Sequence, residues 1–208
     1  MDEASVKPSV EEGVRIRLLE AAGDLFARKG YAATTVREVV ERAGVTKPVL
    51  YYHFGSKEGI YLALMREAFG IFNATLEGAV AEGGSARERI ERVLDSLFAL
   101  MLEHLDVLRV IHAIYYGPPQ GAPFFDFDAY HQTLVDRLRA LVEEGMRSGE
   151  FRLADPGEVT WAVIGALSVA EGIALGHQEM GFGPEQFRRV LAVVFEGVLD
   201  SRARAKEC

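Results

Sequence analysis

Apolar residues return every three or four positions along most of this chain, and nowhere do they alternate singly between turn pairs. That period predicts helices throughout and no sheet. In EEGVRIRLLEAAGDLFARKG (11–30), Leu18, Ala22 and Leu25, flanked by Leu19 and Phe26, form one apolar face. Arg28 and Lys29 fill its last turn, and Gly30 is placed to take a left-handed cap. Thr35-Val36-Arg37-Glu38 reads as a capping box opening a second, short helix. Ala43-Gly44-Val45 ends it, with Gly44 free to take a positive φ. Thr46 is expected to cap a third helix, with Pro48 in the first turn, where its missing N–H is tolerated. Two short helices around a glycine turn predict a helix-turn-helix. Ser56 then caps a long fourth helix to about Glu82, with Tyr61, Leu64, Met65, Ala68, Phe72, Leu76 and Val80 along one side. Further helices are expected at 86–103, 105–116, 126–148, 156–180 and 184–203, with GPPQGAP (117–123) as the main internal loop. The fold class is all-α, with about nine helices.

The 208 residues suffice for a large apolar core, and the sole cysteine is Cys208, so no internal disulfide can form and a reducing, cytoplasmic setting is expected. MDEASVKPSVEEG has neither the basic start nor the apolar run of a signal peptide or anchor. VTWAVIGALSVAEGIALG (159–176) reaches the lower length of a membrane span, but Glu171 would sit near its middle and basic flanks are missing. A helix covered on all sides within a protein assembly fits it better, and no membrane partner is expected. The net charge of −8 is unevenly spread. Between residues 13 and 57, Arg15, Arg17, Arg28, Lys29, Arg37, Arg42, Lys47 and Lys57 outnumber Glu20, Asp24, Glu38 and Glu41 by four, leaving −12 for the rest. A basic head on an acidic body suits a protein whose head alone meets a polyanion.

The third helix carries that suggestion further. Leu50 and Phe54 share one face with Val45 and belong to a core. Lys47, Val49, Tyr51, Tyr52 and His53 are left on the other faces of a helix too short to bury them all, and Thr35 and Arg37 open on the same side. Phenol, imidazole and ammonium groups bind phosphate oxygens, and arginine or lysine reaches guanine in a major groove. Lys57 stands in the first turn of a helix, where the dipole disfavours a cation; a bound phosphate would reconcile the two.

ATTVREVVERAGVTKPVLYYHFGSKEGIYLALM resembles the DNA-binding signature of the tetracycline-repressor (TetR) family of bacterial transcriptional regulators, over roughly residues 14–65. The resemblance implies Arg37 and Lys47 approaching bases, Tyr51 facing the groove, Tyr52, His53 and Lys57 holding the backbone, and Thr35 and Thr46 as caps that also touch phosphate. Val49 departs from the common Thr or Ser, and Pro48 from the frequent Gly or Ala. The implied organisation is an N-terminal arm (1–11), a helix-turn-helix DNA-binding domain (12–56) and an effector-binding and dimerisation domain (57–208).

The resemblance also implies a homodimer on a double-stranded operator, and the sequence supports pairing on its own. Residues 156–180 are apolar on every face, Ser168, Gly172 and Gly176 recur at four-residue spacing, and the helix at 184–203 adds Phe187, Val190, Leu191, Val194 and Val198. One subunit cannot cover both helices, which predicts a four-helix seam. For a small hydrophobic or aromatic effector the candidates are Phe69, Phe72, His112, Tyr115, Tyr116, Phe124, Phe125, Phe127, Tyr130 and Trp161, with Glu171 as a polar member. Two other readings compete. Asp126, Asp128 and His131, joined by His112 or His177, could form a metal sensor, or the first three an enzyme site. No HExxH, CxxC or nucleophile elbow accompanies them, so no catalytic residue, metal or cofactor is expected.

Overall fold

The computed structural model describes residues 10–198. The proposed arm falls outside these except for its last two positions, as do residues 199–203 of the last helix and Cys208. The described elements are α1 (Val10–Ala33), α2 (Val36–Ala43), α3 (Lys47–Phe54), α4 (Lys57–Ala81), α5 (Ala86–Glu103), α6 (Leu105–Tyr115), α7 (Phe127–Ser148), α8 (Pro156–Gly176), a 3-10 turn (Gln178–Met180) and α9 (Pro184–Val198).

The chain packs as two units. The first runs to Ala68 and takes in Asp106–Phe125; the second is Phe69–Leu105 and everything from Asp126 on. The first unit therefore reaches past residue 56, through half of α4, most of α6 and the loop after it. Its buried residues include Leu18, Ala22 and Phe26 of α1, Val39 of α2, Leu50 of α3, and Ile60, Tyr61 and Met65 of α4. Phe26, Tyr31 and Tyr61 form a triangle of rings with centroids 5.4, 5.2 and 6.3 Å apart. Burial, reinforced by Tyr31 beside it, pushes the Tyr61 phenol up to about 12.

In the second unit, Leu94, Leu97 and Phe98 of α5, Leu138 and Leu141 of α7, Val163 and Leu167 of α8, and Phe187, Leu191 and Phe195 of α9 share one core. Its helix ends are satisfied across elements. Ser85 and Glu88 close a capping box on α5, and the Glu150 carboxylate accepts from the amides of Ala86 (2.9 Å) and Arg87 (3.1 Å) at the same N-terminus. Arg89 donates to the carbonyl of Val80 and Arg92 to that of Ala79, both in the last turn of α4, and Arg92 also reaches those of Glu82 and Gly83 just beyond it.

Two expectations need correction. Gly30 does take a positive φ, but at φ 83, ψ 163 it is extended rather than left-handed helical, and the chain makes a further turn to Ala33. The eighth helix stops at Gly176 instead of continuing to 180. His177 (φ −137, ψ 50) leaves the helical region, and the 3-10 turn that follows closes on Gly181. His177, Gln178 and Glu179 are exposed here, so no buried apolar side chain holds the helix past Gly176.

Candidate nucleic-acid interface

The interface is built on α2 and α3. Thr35 accepts from the amide of Glu38 (3.3 Å) while the Glu38 carboxylate accepts from the amide of Thr35 (3.0 Å), the reciprocal box the spacing predicts. Glu38 also takes Lys29 Nζ at 2.5 Å and the Thr35 hydroxyl at 2.7 Å. With Lys29 the larger cause and Thr35 the next, the Glu38 carboxyl is lowered to about 2. α2 ends on Gly44 (φ 67, ψ 37), where the amides of Gly44 and Val45 return to Glu41 O (3.3 Å) and Val40 O (3.0 Å).

Thr46 occupies the cap position of α3, yet its hydroxyl makes no cap hydrogen bond, contrary to expectation. A cap serves the amide of the second or third helical residue. Here the second is Pro48, which has no N–H, and the third, Val49, already donates to Thr46 O at 3.1 Å. The Thr46 hydroxyl is thereby left at the surface.

Leu50 pins α3 to the core with no exposure, while Phe54 is half-buried with the Arg15 guanidinium 5.8 Å from its ring centre. On the opposite side Tyr51 is 50% and Tyr52 76% exposed, Lys47 is exposed and His53 half-buried. Tyr52 Oη donates to Glu11 in the first turn of α1 (3.1 Å), which raises the phenol's pKa.

The charges are less available than their count suggests. Arg15 pairs with Glu12 and Glu67, Arg28 and Arg42 share Asp24 at 2.7 and 2.8 Å, and Arg37 holds Glu41 at 2.6 Å. Lys57 has a task inside the chain that its position did not reveal: Nζ donates to Tyr31 O and Thr34 O, both at 3.0 Å, and lies 4.2 Å from the centre of the Tyr31 ring. Backbone carbonyls at the end of α1 thus supply the negative partner that the first turn of α4 seemed to lack. Gln120, in the 117–123 loop, was not singled out by the sequence; it accepts from the Tyr31 amide at 2.9 Å.

Among the effector candidates, the second unit brings four together. The Phe69 ring lies 4.3 Å from Tyr130, 5.7 Å from Phe127 and 6.1 Å from Phe72. Trp161 instead stacks on His131 (6.0 Å), and Glu171 is half-buried on α8. In the first unit, Tyr116 lies 4.7 Å from both His112 and Tyr115, with Phe124 exposed and Phe125 half-buried. Asp126 caps α7 through the Ala129 amide (3.1 Å), a simpler role than metal ligation. Among the described residues no three His, Cys, Asp or Glu side chains gather as a metal site.

Residues 18–64 match the family described as bacterial regulatory proteins, tetR family, and residues 86–175 match the tetracyclin repressor-like C-terminal domain, together most of the chain. The chain belongs to the TetR family. The transcriptional repressor KstR2 of Rhodococcus jostii is 30% identical over 148 residues, 69% of this chain and 71% of that protein. The ketosteroid transcriptional regulator KstR2 of Mycobacterium tuberculosis shares the fold at a TM-score of 0.73 and 22% identity, over 90% of this chain and 95% of that one. FadR from Bacillus subtilis, solved in complex with stearoyl-CoA, aligns at 0.68 and 19% identity, over 86% of this chain and 96% of its own. This TetR-family chain is a ligand-responsive, DNA-binding transcriptional regulator, and neither the metal-sensor nor the enzyme reading is favoured. Regulators of the family bind operator DNA as dimers and respond to small-molecule effectors.

Proposed function

We propose that two copies of this chain pair through the exposed faces of α8 and α9, set two α3 helices into successive major grooves, and repress transcription from an inverted-repeat operator. One observation carries the reading: α3 is anchored by fully buried Leu50 while Lys47, Tyr51 and Tyr52 stand in solvent. With Leu50 holding the helix from beneath, the outer side is a donor-rich face that a polyanion can receive. Arg37 and Lys47 reach base edges and Tyr51 lies along the groove wall. Tyr52, His53, the Thr46 hydroxyl and the remaining ammonium hydrogen of Lys57 hold phosphates. Thr35, whose hydroxyl serves Glu38, fixes the turn that carries Arg37. Docking on DNA exchanges Glu41 and Glu11, the present partners of Arg37 and Tyr52, for phosphate or base oxygens.

The α8 face supports the dimer. Trp161 (57% exposed), Gly165, Ser168, Val169 (61%) and Gly172 follow one another down one side of the helix, and α9 adds Val193 at 70%. A stripe of small residues between large apolar ones lets a second helix approach closely, and we place Trp161 in that seam. Two-fold pairing spaces the recognition helices by roughly 34–36 Å, one turn of B-DNA. The effector is a hydrophobic or aromatic molecule taken up at Phe69, Phe72, Phe127 and Tyr130, consistent with the stearoyl-CoA held by FadR. Its binding changes the half-site spacing and releases the operator.

Selection of bound duplexes from a random pool tests this reading. It should return an inverted repeat whose half-sites lie one helical turn apart. Arg37→Ala should then relax base preference at a defined position in each half-site. Recovery of no duplex, or of a lone half-site, would overturn it.

A further inference from the structure

The chain from Gly30 to the start of α2 is held from two sides, by Lys57 of α4 and by Gln120 of the 117–123 loop. At Gly30 the chain leaves the α1 axis with φ 83, ψ 163, a conformation that side-chain-bearing residues rarely adopt. One turn later it reaches Thr35, the cap of α2. Tyr31, in the middle of this turn, is almost wholly buried. Its carbonyl and that of Thr34 accept from Lys57, while its amide donates to Gln120 Oε1 at 2.9 Å. The other end of the Gln120 amide donates to Ala113 O in the last part of α6, at 3.4 Å. The fit at Gly30 is tight: a Cβ there would lie 2.5 Å from Gln120 Oε1. One side-chain amide therefore bridges the α6–loop segment and the turn that delivers the chain into α2, across 89 residues of sequence.

We propose that Gln120 is a positioning residue for operator recognition. It fixes where Thr35 starts α2, and hence how Arg37 and α3 meet the DNA, without touching the DNA itself. This rests on the DNA-reading role given above to α2 and α3. The chemistry needed at position 120 is specific. The Tyr31 amide is a buried donor that requires an acceptor, and the Ala113 carbonyl accepts from a donor on the same side chain; glutamine supplies both. Because the acceptor is carried by the loop 117–123, any displacement of that loop withdraws it and leaves the Tyr31 amide unsatisfied. Tyr116 and Phe124, exposed aromatics, lie on either side of the latch in sequence, four residues away.

Three chains decide it: wild type, Gln120→Leu and Gln120→Glu, each measured for amide exchange at Tyr31 and for affinity to the duplex selected by the wild type. Leucine keeps the bulk and removes both hydrogen bonds. Exchange at Tyr31 should accelerate and operator affinity fall by about tenfold, as the turn that carries Arg37 loses its preorganisation. Base preference and salt slope should stay unchanged, because no phosphate contact is lost. Glutamate keeps an acceptor for Tyr31 but loses the donor to Ala113, so it should restore protection of the Tyr31 amide and part of the affinity. Wild-type affinity in the leucine variant overturns the proposal. So does an equal loss in both variants accompanied by an equal fall in melting temperature, since that marks general support of the fold. Failure of the wild type to bind any duplex would instead remove the DNA-reading role, and is seen before either variant is made.

Discussion

α3 and α8 both leave large side chains in water, and they do so with opposite chemistry. Beside Tyr51 and Tyr52, α3 sets Lys47 and His53, groups that donate hydrogen bonds or carry positive charge. Beside Trp161 and Val169, α8 sets Gly165, Ser168 and Gly172, a low and nearly uncharged surface. A polyanion is recognised by donors at defined places, whereas a second copy of a helix is recognised by close approach and excluded water. Exposure of an aromatic thus says little until its neighbours are read: in the proposed reading the same quantity belongs to a nucleic-acid contact on one helix and to a protein contact on the other.

Substitutions can break this contrast from either side. The largest effect is expected at Gly172, where an added Cβ meets nothing within 4 Å inside the subunit. Gly172→Leu should leave the melting of the subunit core unchanged in a dilute, monomeric sample. It should abolish dimers in sedimentation and lower operator affinity by about 10²- to 10⁴-fold, because the two half-sites are no longer bound as one. Leu50→Ala attacks α3 from beneath. Removing this fully buried side chain should destabilise the first unit by about 2–5 kcal/mol, read by denaturant unfolding, and weaken DNA binding in proportion. Lys47→Ala changes the α3 surface alone. A loss of about 1–3 kcal/mol at the selected operator is expected, with unaltered thermal stability. The smallest effect is at Glu38. Its carboxyl is depressed from 4.5 to about 2 in the folded chain, so its contribution is fully present above pH 4.5 and fades as the pH falls toward 2. A carboxyl titration followed by NMR should place this step below that of the free side chain, and Glu38→Gln should delete it.

The same contrast explains what could be read from the sequence. The helix-turn-helix was legible because its signals are local: a threonine three residues before a glutamate, a glycine at the turn, a proline in the first helical turn. Thr46 shows the limit of such signals, since a neighbouring proline removes one amide that a cap would serve and Val49 turns to the Thr46 carbonyl. Contacts that join distant segments were not legible. Nothing in the spacing brings Gln120 to Tyr31, 89 residues away, Glu11 to Tyr52, 41 away, or Lys57 to the carbonyls of Tyr31 and Thr34. A cation at a helix start marks Lys57 in the sequence, but its partners inside the chain are chosen by how the end of α1 packs. The aromatic residues divide similarly. Periodicity marks Phe72 as a helix-face residue and leaves Phe69 off that face, and only the folded chain brings Phe72, Phe127 and Tyr130 around Phe69 while pairing Trp161 with His131.

Hydroxyl-radical footprinting, which oxidises side chains in proportion to their solvent exposure, tests the two faces in one experiment. In the free wild-type protein Tyr51 and Tyr52 should react readily and become shielded when the selected duplex is added. Trp161 and Val169 should be shielded in both states and react only in Gly172→Leu. If Trp161 reacts as freely as Tyr52 in the wild-type protein, or if duplex leaves the two tyrosines equally reactive, then the faces of α3 and α8 do not serve DNA and a second subunit as described.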